Sequence, residues 1–402
     1  PQTPNPKPQT PNPFNFFSLS KGKSFDKITM LSKSEANSLS LADFEILKVI
    51  GSGTNTQVCL ARLRRDDSLY ALKAIRKAPD PNCSAKSSQM AFAELEVFRN
   101  FQDSPFLVRP FRTFQTESHF FFLLEYCSGG DLLNVIQQPQ RLPEHIARFY
   151  AGQIVLAFKA LHQKGYIYRD LKPENVLLCS NGYVKLGDFG LSKLIGESKT
   201  HTLCGTRQYF APEMLIENQY SFEVDWWSLG CFIFETLTRL PPFFSSDSNK
   251  AQLFDKIKFS QPKFPSFFSG HLKDLLSKLL EKDPAKRLGA KGAEEVQEHL
   301  WFEGFDWEAL RSHSFPAPYI PSTEKLGLIN FDQEFLNSEV EFDPSGKPES
   351  KDPFSTFDFV ADDEGLGAGV GLTQSASTIA SWFDSPRIHS DSSSKAKSDG
   401  DC

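Results

Sequence analysis

The stretch that decides the fold of this chain is Tyr168-Arg169-Asp170-Leu171-Lys172-Pro173-Glu174-Asn175, which is followed by Asp188-Phe189-Gly190 and Ala211-Pro212-Glu213. Asp170 is a carboxylate that can orient a hydroxyl group and accept its proton. The ammonium group of Lys172 can stay in contact with the phosphate group that is transferred. Isolated Asp, Asn and Gly residues more often mark turns, but three such motifs in this order favour a site for phosphoryl transfer to a hydroxyl group.

The three motifs resemble those of the protein kinases, with Tyr168 in the first place of the His-Arg-Asp pattern of the catalytic loop. The resemblance implies an α+β, bilobal protein kinase fold with a small β-rich N-lobe and a mainly helical C-lobe. It implies ATP and Mg²⁺ as cofactors, catalytic roles for Asp170 and Lys172, and oxygen ligands for the metal from Asn175 and Asp188. Lys172, two residues after Asp170, indicates serine/threonine rather than tyrosine specificity.

The composition is compatible with two packed lobes. The chain has 402 residues, 40% of them hydrophobic, and begins at Pro1 rather than Met, as a fragment or a processed protein would. The net charge of −6 argues against a nucleic-acid partner. The sequence contains no run of eighteen apolar residues, so no transmembrane segment is expected. Seven cysteines without C-x-x-C pairing predict reduced thiols in a cytoplasmic or nucleocytoplasmic protein, and the eight scattered histidines predict no transition-metal site.

Shifts in composition divide the chain into successive segments. The start is rich in Pro, Ser and Lys and the end in Gly and Ser, so neither is expected to bury enough surface to fold. A Pro- and Phe-rich tail, predicted to be extended, follows the kinase domain. The predicted boundaries are 1–40 for the disordered extension, 41–302 for the kinase domain (N-lobe 41–127, C-lobe 128–302), 303–362 for the tail of the kind found in AGC kinases, and 363–402 for the disordered end.

Two predicted elements place charged residues inside the N-lobe. The period-two geometry of a strand at 69–75 turns Lys73 inward. A helix at 88–101 places Glu94 on its apolar face, which makes Glu94 the expected ion-pair partner of Lys73, with Glu96 as the alternative. Further predictions are a strand at 41–50, a helix from 143 to a stop at 165, and helices at 224–238 and 272–281.

The segment Gly51-Ser52-Gly53-Thr54-Asn55-Thr56-Gln57-Val58 occupies the place of a kinase glycine-rich loop. Glycines let backbone amides approach phosphate oxygens, but here Thr56 replaces the third glycine and Asn55 the usual aromatic tip. This departure motivates the main rival hypothesis, a catalytically weak pseudokinase that acts as a scaffold; an unrelated nucleotide-binding switch is more distant. The resemblance implies nucleotide-binding roles for Gly51, Ser52, Gly53, Val58, Ala71, Lys73, Glu125, Cys127, Leu177 and Phe331.

Several strings narrow the resemblance to the AGC group, the branch of protein kinases A, B and C. They include Ser104-Pro-Phe-Leu-Val108, Thr202-Leu-Cys-Gly-Thr206 and Asp225-Trp-Trp-Ser228. The resemblance implies that Thr206 assists Asp170 in catalysis. It also implies a structural ion pair between Glu213 and Arg287 in the C-lobe.

The resemblance further implies two regulatory elements. Thr202 is the expected activation-loop phosphorylation site, whose phosphate Arg169 and Lys193 would attract after an upstream kinase has acted. The tail holds a hydrophobic motif at 354–359, in which Asp358 supplies a permanent negative charge where relatives carry a phosphorylated residue. The residues of this motif expected to dock on the N-lobe are Phe354, Phe357, Asp358 and Phe359.

The expected partners are protein substrates with basic residues before the acceptor Ser or Thr. Asp131, Glu174 and Glu235 match the acidic positions that bind such arginines in the AGC group. Arg207 and Gln208 stand where Pro and Glu are usual, so the pocket for the residue after the acceptor departs from the group.

Overall fold

An antiparallel sheet forms the N-lobe in the computed structural model, which describes residues 39–77, 86–138, 141–217, 219–244, 249–343 and 355–361. In this described part, six strands follow the order β1-β2-β3-β5-β4-β10, and two further pairs are β6-β9 and β7-β8. The strands are β1 (Phe44–Gly53), β2 (Thr56–Leu63), β3 (Leu69–Arg76), β4 (Pro110–Gln115), β5 (His119–Glu125), β6 (Tyr166–Ile167), β7 (Val176–Leu178), β8 (Val184–Leu186), β9 (Lys193–Leu194) and β10 (Phe359–Val360).

The alternation of β3 separates two hydrophobic clusters. Ala71 and Ile75 join the main core, whereas Leu72 and Ala74 join a smaller cluster on the opposite face of the sheet. Lys73 lies on the first face and is only 7% exposed, so the predicted inward direction is confirmed.

The helices lie where the hydrophobic pattern has a period of three to four residues. The predicted helix at 88–101 is observed one to two residues earlier, and the predicted C-lobe helices are each present with boundaries shifted by up to two residues. The helices are α1 (Lys86–Asn100), α2 (Leu132–Ile136), α3 (Glu144–Gln163), α4 (Pro212–Ile216), α5 (Glu223–Thr238), α6 (Lys250–Phe259), α7 (Gly270–Leu279), α8 (Ala293–Gln297), α9 (Trp307–Arg311) and α10 (Gln333–Leu336).

The ends of the long helix α3 follow local chemistry. Pro143 precedes it in an extended conformation, rather than occupying its first turn as predicted. The chain turns away at Gly165, whose φ of +81° is readily adopted by glycine. Within the C-lobe core, Trp226 and Trp227 of α5 are almost completely buried.

Two further predictions about local structure were wrong. The predicted strand at 41–50 begins only at Phe44, because Leu41–Asp43 form a short 3₁₀ turn stabilised by Ser40 and Asp43. The tail is not uniformly extended, since it forms α9, α10 and, at Glu324–Asn330, 3₁₀ turns interrupted by a kink at 325–327. Aspartates at the starts of α9 and α10 accept backbone hydrogen bonds, which supplies a local reason for these turns.

Among the described residues, no helix is long and apolar enough to cross a membrane.

Candidate active site

Lys73, Glu94 and Asp188 form one charged cluster between β3, α1 and the loop after β8, in which Lys73 and Glu94 are buried and Asp188 is exposed. The Nζ atom of Lys73 lies 2.6 and 2.8 Å from the two carboxylate oxygens of Glu94 and 3.1 Å from Oδ1 of Asp188. Burial by itself lowers the pKa of Lys73, but the two carboxylates raise it above its ordinary value, so Lys73 is a cation. The predicted Lys73–Glu94 pair is thus formed, and Glu96 does not occupy this place.

Aromatic contacts connect α1 to the catalytic loop. Phe189 packs edge-to-face against Phe98 of α1 at 5.5 Å and against Tyr168 at 5.7 Å between ring centroids. The hydroxyl of Tyr168 donates to the carbonyl of Gly187 at 2.6 Å. Because these rings are fully packed between the two lobes, they hold the helix that carries Glu94 next to the loop that carries Asp188.

Both carboxylate oxygens of Asp170 are held by neighbouring side chains. Thr206 donates to Oδ1 at 3.0 Å, the Asn175 amide donates to Oδ2 at 2.9 Å, and Nζ of Lys172 lies 3.4 Å from Oδ2. Gly205 allows Thr206 to come this close, since a Cβ there would lie 2.5 Å from the carbonyl oxygen of Arg169. The structure therefore brings together the three predicted catalytic residues of the C-lobe, Asp170, Lys172 and Thr206.

Asp225 supports the catalytic loop from below, a role that the sequence patterns did not reveal. Its carboxylate is fully buried and accepts hydrogen bonds from the backbone amides of Tyr168 and Arg169, both at 2.9 Å. His162 contributes a further contact at 2.8 Å. The signal in the sequence was a carboxylate directly before the apolar residues Trp226 and Trp227 of α5, since a carboxylate buried among such residues requires partners.

The oxygen atoms near Asp170 fit a hard divalent cation. Asn175 uses its amide nitrogen to bond Asp170, so its amide oxygen remains the acceptor available to a metal. The Lys73 ammonium lowers the pKa of Asp188, which keeps that carboxylate ionised. Asn175 and Asp188 are therefore suitable ligands for Mg²⁺.

The predicted nucleotide-binding residues line the edges of the N-lobe and the connection to the C-lobe. Gly51, Ser52 and Gly53 end β1 and pair with β2, where Val58 faces Gly51. Ala71 pairs with Leu124, which directly precedes residues 125–127, the hinge between the two lobes. The hinge region contains Glu125 and Cys127, and Leu177 lies on β7.

Glu125 is held by groups that the sequence did not reveal. Its carboxylate binds Nζ of Lys185 at 2.6 and 2.9 Å and accepts from the backbone amide of Arg109 at 2.6 Å. This side chain is thus engaged within the protein, and a ligand contact at Glu125 is expected from its backbone. The tail also reaches the hinge, because Phe331 stacks on Tyr126 with 5.9 Å between centroids.

The activation segment is arranged around Arg169. Its Nε donates to the Leu191 carbonyl at 2.6 Å and its Nη1 to the Tyr220 hydroxyl at 3.2 Å; that hydroxyl donates to the Thr202 carbonyl. Thr202 is exposed, and Lys193 donates to the nearby buried Thr200 at 3.3 Å. Arg169 of the catalytic loop is thus linked to the backbone of Thr202 through Tyr220, and Lys193 contacts Thr200, two residues before Thr202.

The three predicted substrate-binding acids influence one another. Burial raises the pKa of Asp131 to about 6, and Glu174 contributes further to this increase. Burial likewise raises the pKa of Glu235, which accepts a 2.6 Å hydrogen bond from Tyr209 and also lies within the electrostatic influence of Glu174. Glu174 itself is exposed. The three form an acidic cluster, in which like charges are held near one another.

The predicted ion pair between Glu213 and Arg287 is present and buried. Its two hydrogen bonds measure 2.5 and 2.8 Å, and the residues are 3% and 1% exposed.

The hydrophobic motif is docked on the N-lobe. Phe357 is completely buried and contacts Phe92 of α1 and Phe120 and Phe122 of β5. β10 extends the sheet by pairing Phe359 with Thr113. Asp358 is exposed and acts electrostatically on Arg112, whereas Phe354 lies outside the described residues.

Fold and site together define the protein kinase class. Residues 44–302 match the protein kinase domain family. A similar protein is human "Ribosomal protein S6 kinase alpha-4", with 41% identity over 337 residues, which cover 80% of this chain and 44% of the relative. The chain belongs to the protein kinase family, and the similarity places it with the serine/threonine kinases of the AGC group. It spans less than half the length of that relative.

Proposed function

We propose that the chain transfers the γ-phosphoryl group of ATP to Ser or Thr in proteins with basic residues before the acceptor. The observation that carries this proposal is the simultaneous presence of the Lys73–Glu94 pair and of Asp170 held by Thr206. A scaffold would not require both charged arrangements.

Each residue has a role that follows from its contacts. Lys73, oriented by Glu94, would bind the α- and β-phosphates. Asp170 would orient the substrate hydroxyl and accept its proton, while Lys172 would stabilise the charge on the transferred group. When bound by Asn175 and Asp188, Mg²⁺ supplies charge screening for the phosphates.

The acidic cluster of Asp131, Glu174 and Glu235 supports the preference for basic substrates. Bringing three carboxylates together is unfavourable unless cations compensate, and arginine side chains can do so with paired hydrogen bonds. An arrayed-peptide assay with purified protein should show preference for arginine at two or three residues before the acceptor over acidic residues at the same places.

Two further elements would set the level of activity. Phosphorylation of Thr202 by an upstream kinase would add an anion next to Arg169 and Lys193 and order the activation segment. Docking of Phe357 against α1 would stabilise the helix position in which Glu94 reaches Lys73.

We also propose a cytoplasmic or nucleocytoplasmic location, since the cysteines of the described residues are free thiols. Imaging of a fluorescent fusion protein tests this location.

Replacement of Asp170 tests the chemistry directly. Asp170→Asn should lose nearly all turnover because proton acceptance is lost, yet it should bind ATP as the unmutated protein does. Turnover at the unmutated rate would contradict the assigned mechanism. A wild-type protein that binds ATP but transfers no phosphate, even with Thr202 phosphorylated, would instead favour the pseudokinase motivated by Thr56 and Asn55.

A further inference from the structure

Two thiols face each other at the junction between the hinge and β7. The Sγ atoms of Cys127 and Cys179 are 3.9 Å apart, although the residues are separated by 52 positions in the chain. Cys127 is 6% exposed, whereas Cys179 is partly exposed. One thiol of the pair is therefore accessible to a small reagent and the other is buried beside it.

The backbone holds the two segments together. The amide of Gly129 donates to the Leu178 carbonyl at 2.9 Å, and the amide of Leu178 donates to the Gly130 carbonyl at 2.8 Å. A Cβ on Gly129 would lie 2.6 Å from the Leu178 carbonyl oxygen, which shows how closely the backbones approach. The two sulfurs thus stay neighbours, and a disulfide length of about 2.05 Å requires them to approach by roughly 1.9 Å.

The exposure of the two thiols sets the order in which they react. Cys179 is partly exposed, so a small peroxide reaches its sulfur first, whereas Cys127 is buried. The hydrogen bond with Cys179 and burial together raise the pKa of Cys127; Glu125 adds to this increase and Lys185 opposes it, so Cys127 stays a thiol until the sulfur of Cys179 has been oxidised.

We propose that Cys127 and Cys179 form a reversible disulfide when a peroxide is present, and that this cross-link weakens nucleotide binding at the hinge. The thiolate of Cys179 attacks one peroxide oxygen, the O–O bond breaks, and the sulfur becomes a sulfenic acid while the departing hydroxide takes a proton and leaves as water. The sulfur of Cys127 then displaces the sulfenic oxygen, which leaves as water with the proton of the Cys127 thiol. The protein loses two hydrogen atoms, and one peroxide is reduced to two waters.

The effect on the nucleotide follows from the location of Cys127, and this part rests on the proposed function. Cys127 belongs to the hinge whose backbone is expected to bind adenine, and Leu177, two residues before Cys179, lies on the strand below. Drawing the sulfurs together moves or restrains both walls of that cleft. We expect a several-fold rise in the dissociation constant for ATP, reversed by dithiothreitol.

The test uses the full chain treated with hydrogen peroxide, with free thiols then blocked by alkylation. Peptide mass spectrometry should find Cys127 linked to Cys179, and fluorescence titration with an ATP analogue should show the loss of affinity. Cys179→Ala should abolish both changes while leaving the affinity of the reduced protein unaltered. Cys204→Ser is the matched control, because Cys204 is also partly exposed but its sulfur neighbours the Tyr220 hydroxyl, and both changes should persist in it.

Two results would overturn the proposal. One is the absence of the cross-linked peptide under conditions that oxidise Cys204, and the other is unchanged ATP affinity in protein that is fully cross-linked. The cross-link and the binding constant are both measured without phosphoryl transfer, so a failure of the proposed kinase activity remains a separate result.

Discussion

Replacement of Phe357 by alanine tests whether the docked tail activates the kinase. The Phe357 ring is fully buried, with its centroid 4.5 Å from that of Phe120 and 5.2 Å from that of Phe122. Truncating a buried Phe to Ala typically costs about 3–5 kcal/mol. Because each 1.4 kcal/mol is a factor of ten, the docking equilibrium constant should fall by roughly two to four orders of magnitude. The backbone contacts of the motif, such as the 2.5 Å hydrogen bond from Thr113 to the Phe357 carbonyl, do not replace this loss.

The assay measures kinase activity of protein whose Thr202 is uniformly phosphorylated, so that only the tail varies. Phe357→Ala, or deletion of residues from 352 onward, should reduce activity strongly. Asp358→Ala should reduce it partially, because this exposed carboxylate contributes through its charge on Arg112. Thr356→Ala is the control, since the side chain of Thr356 is exposed and the hydrogen bond from Arg99 goes to its carbonyl, which the substitution retains. Full activity after the deletion would refute the role assigned to the motif.

Three other predictions concern the acidic cluster and the C-lobe. The double variant Glu174→Gln with Glu235→Gln should weaken the preference for arginine before the acceptor. This preference is measured as the ratio of kcat/KM for arginine-containing and alanine-containing peptides. An unchanged ratio would show that these two residues do not bind the substrate arginine. Burial raises the pKa of Asp131 to about 6, so its carboxyl is ionised above that pH and neutral below it. KM for an arginine-containing peptide should therefore rise as the pH falls through about 6. The variant Asp131→Asn keeps an N-cap side chain for α2 and should remove this part of the pH profile. Arg287→Met should lower the free energy of unfolding, measured by urea denaturation, by about 3–5 kcal/mol because it leaves the Glu213 carboxylate buried and unpaired. The control Lys291→Met removes one partner of an exposed ion pair and should change this free energy by less than about 1 kcal/mol. Equal effects of the two variants would contradict the importance of burial.

Much of the site followed from short-range patterns. Lys73 was assigned to the interior because strands alternate, and Glu94 because residues three and four apart share a helix face; the ion pair at 2.6 Å confirms that geometry. Asp170, Asn175 and Asp188 are recognisable because their order and spacing resemble those of the protein kinases. Such motifs can be recognised in the sequence because their residues lie close together along the chain and keep their relative positions in the fold.

Other features required the tertiary structure. Asp225 is 56 and 57 residues from the two amides that it binds, and no periodicity connects positions so far apart. The same applies to Lys185 and Glu125, 60 residues apart, and to the facing thiols of Cys127 and Cys179. The short helices of the tail were missed because local caps and packing outweighed a composition typical of extended chain.

The sequence by itself determined the protein kinase class, the two lobes and the identity of the central catalytic residues, because motif order and hydrophobic period are local properties of the chain. Only the tertiary structure decided between Glu94 and Glu96 as the partner of Lys73, placed Phe357 between α1 and β5, and showed that Asp225 supports the catalytic loop. These contacts depend on how α1, the tail and α5 pack against distant elements, and packing is set by the complementary surfaces of the folded chain rather than by any one segment.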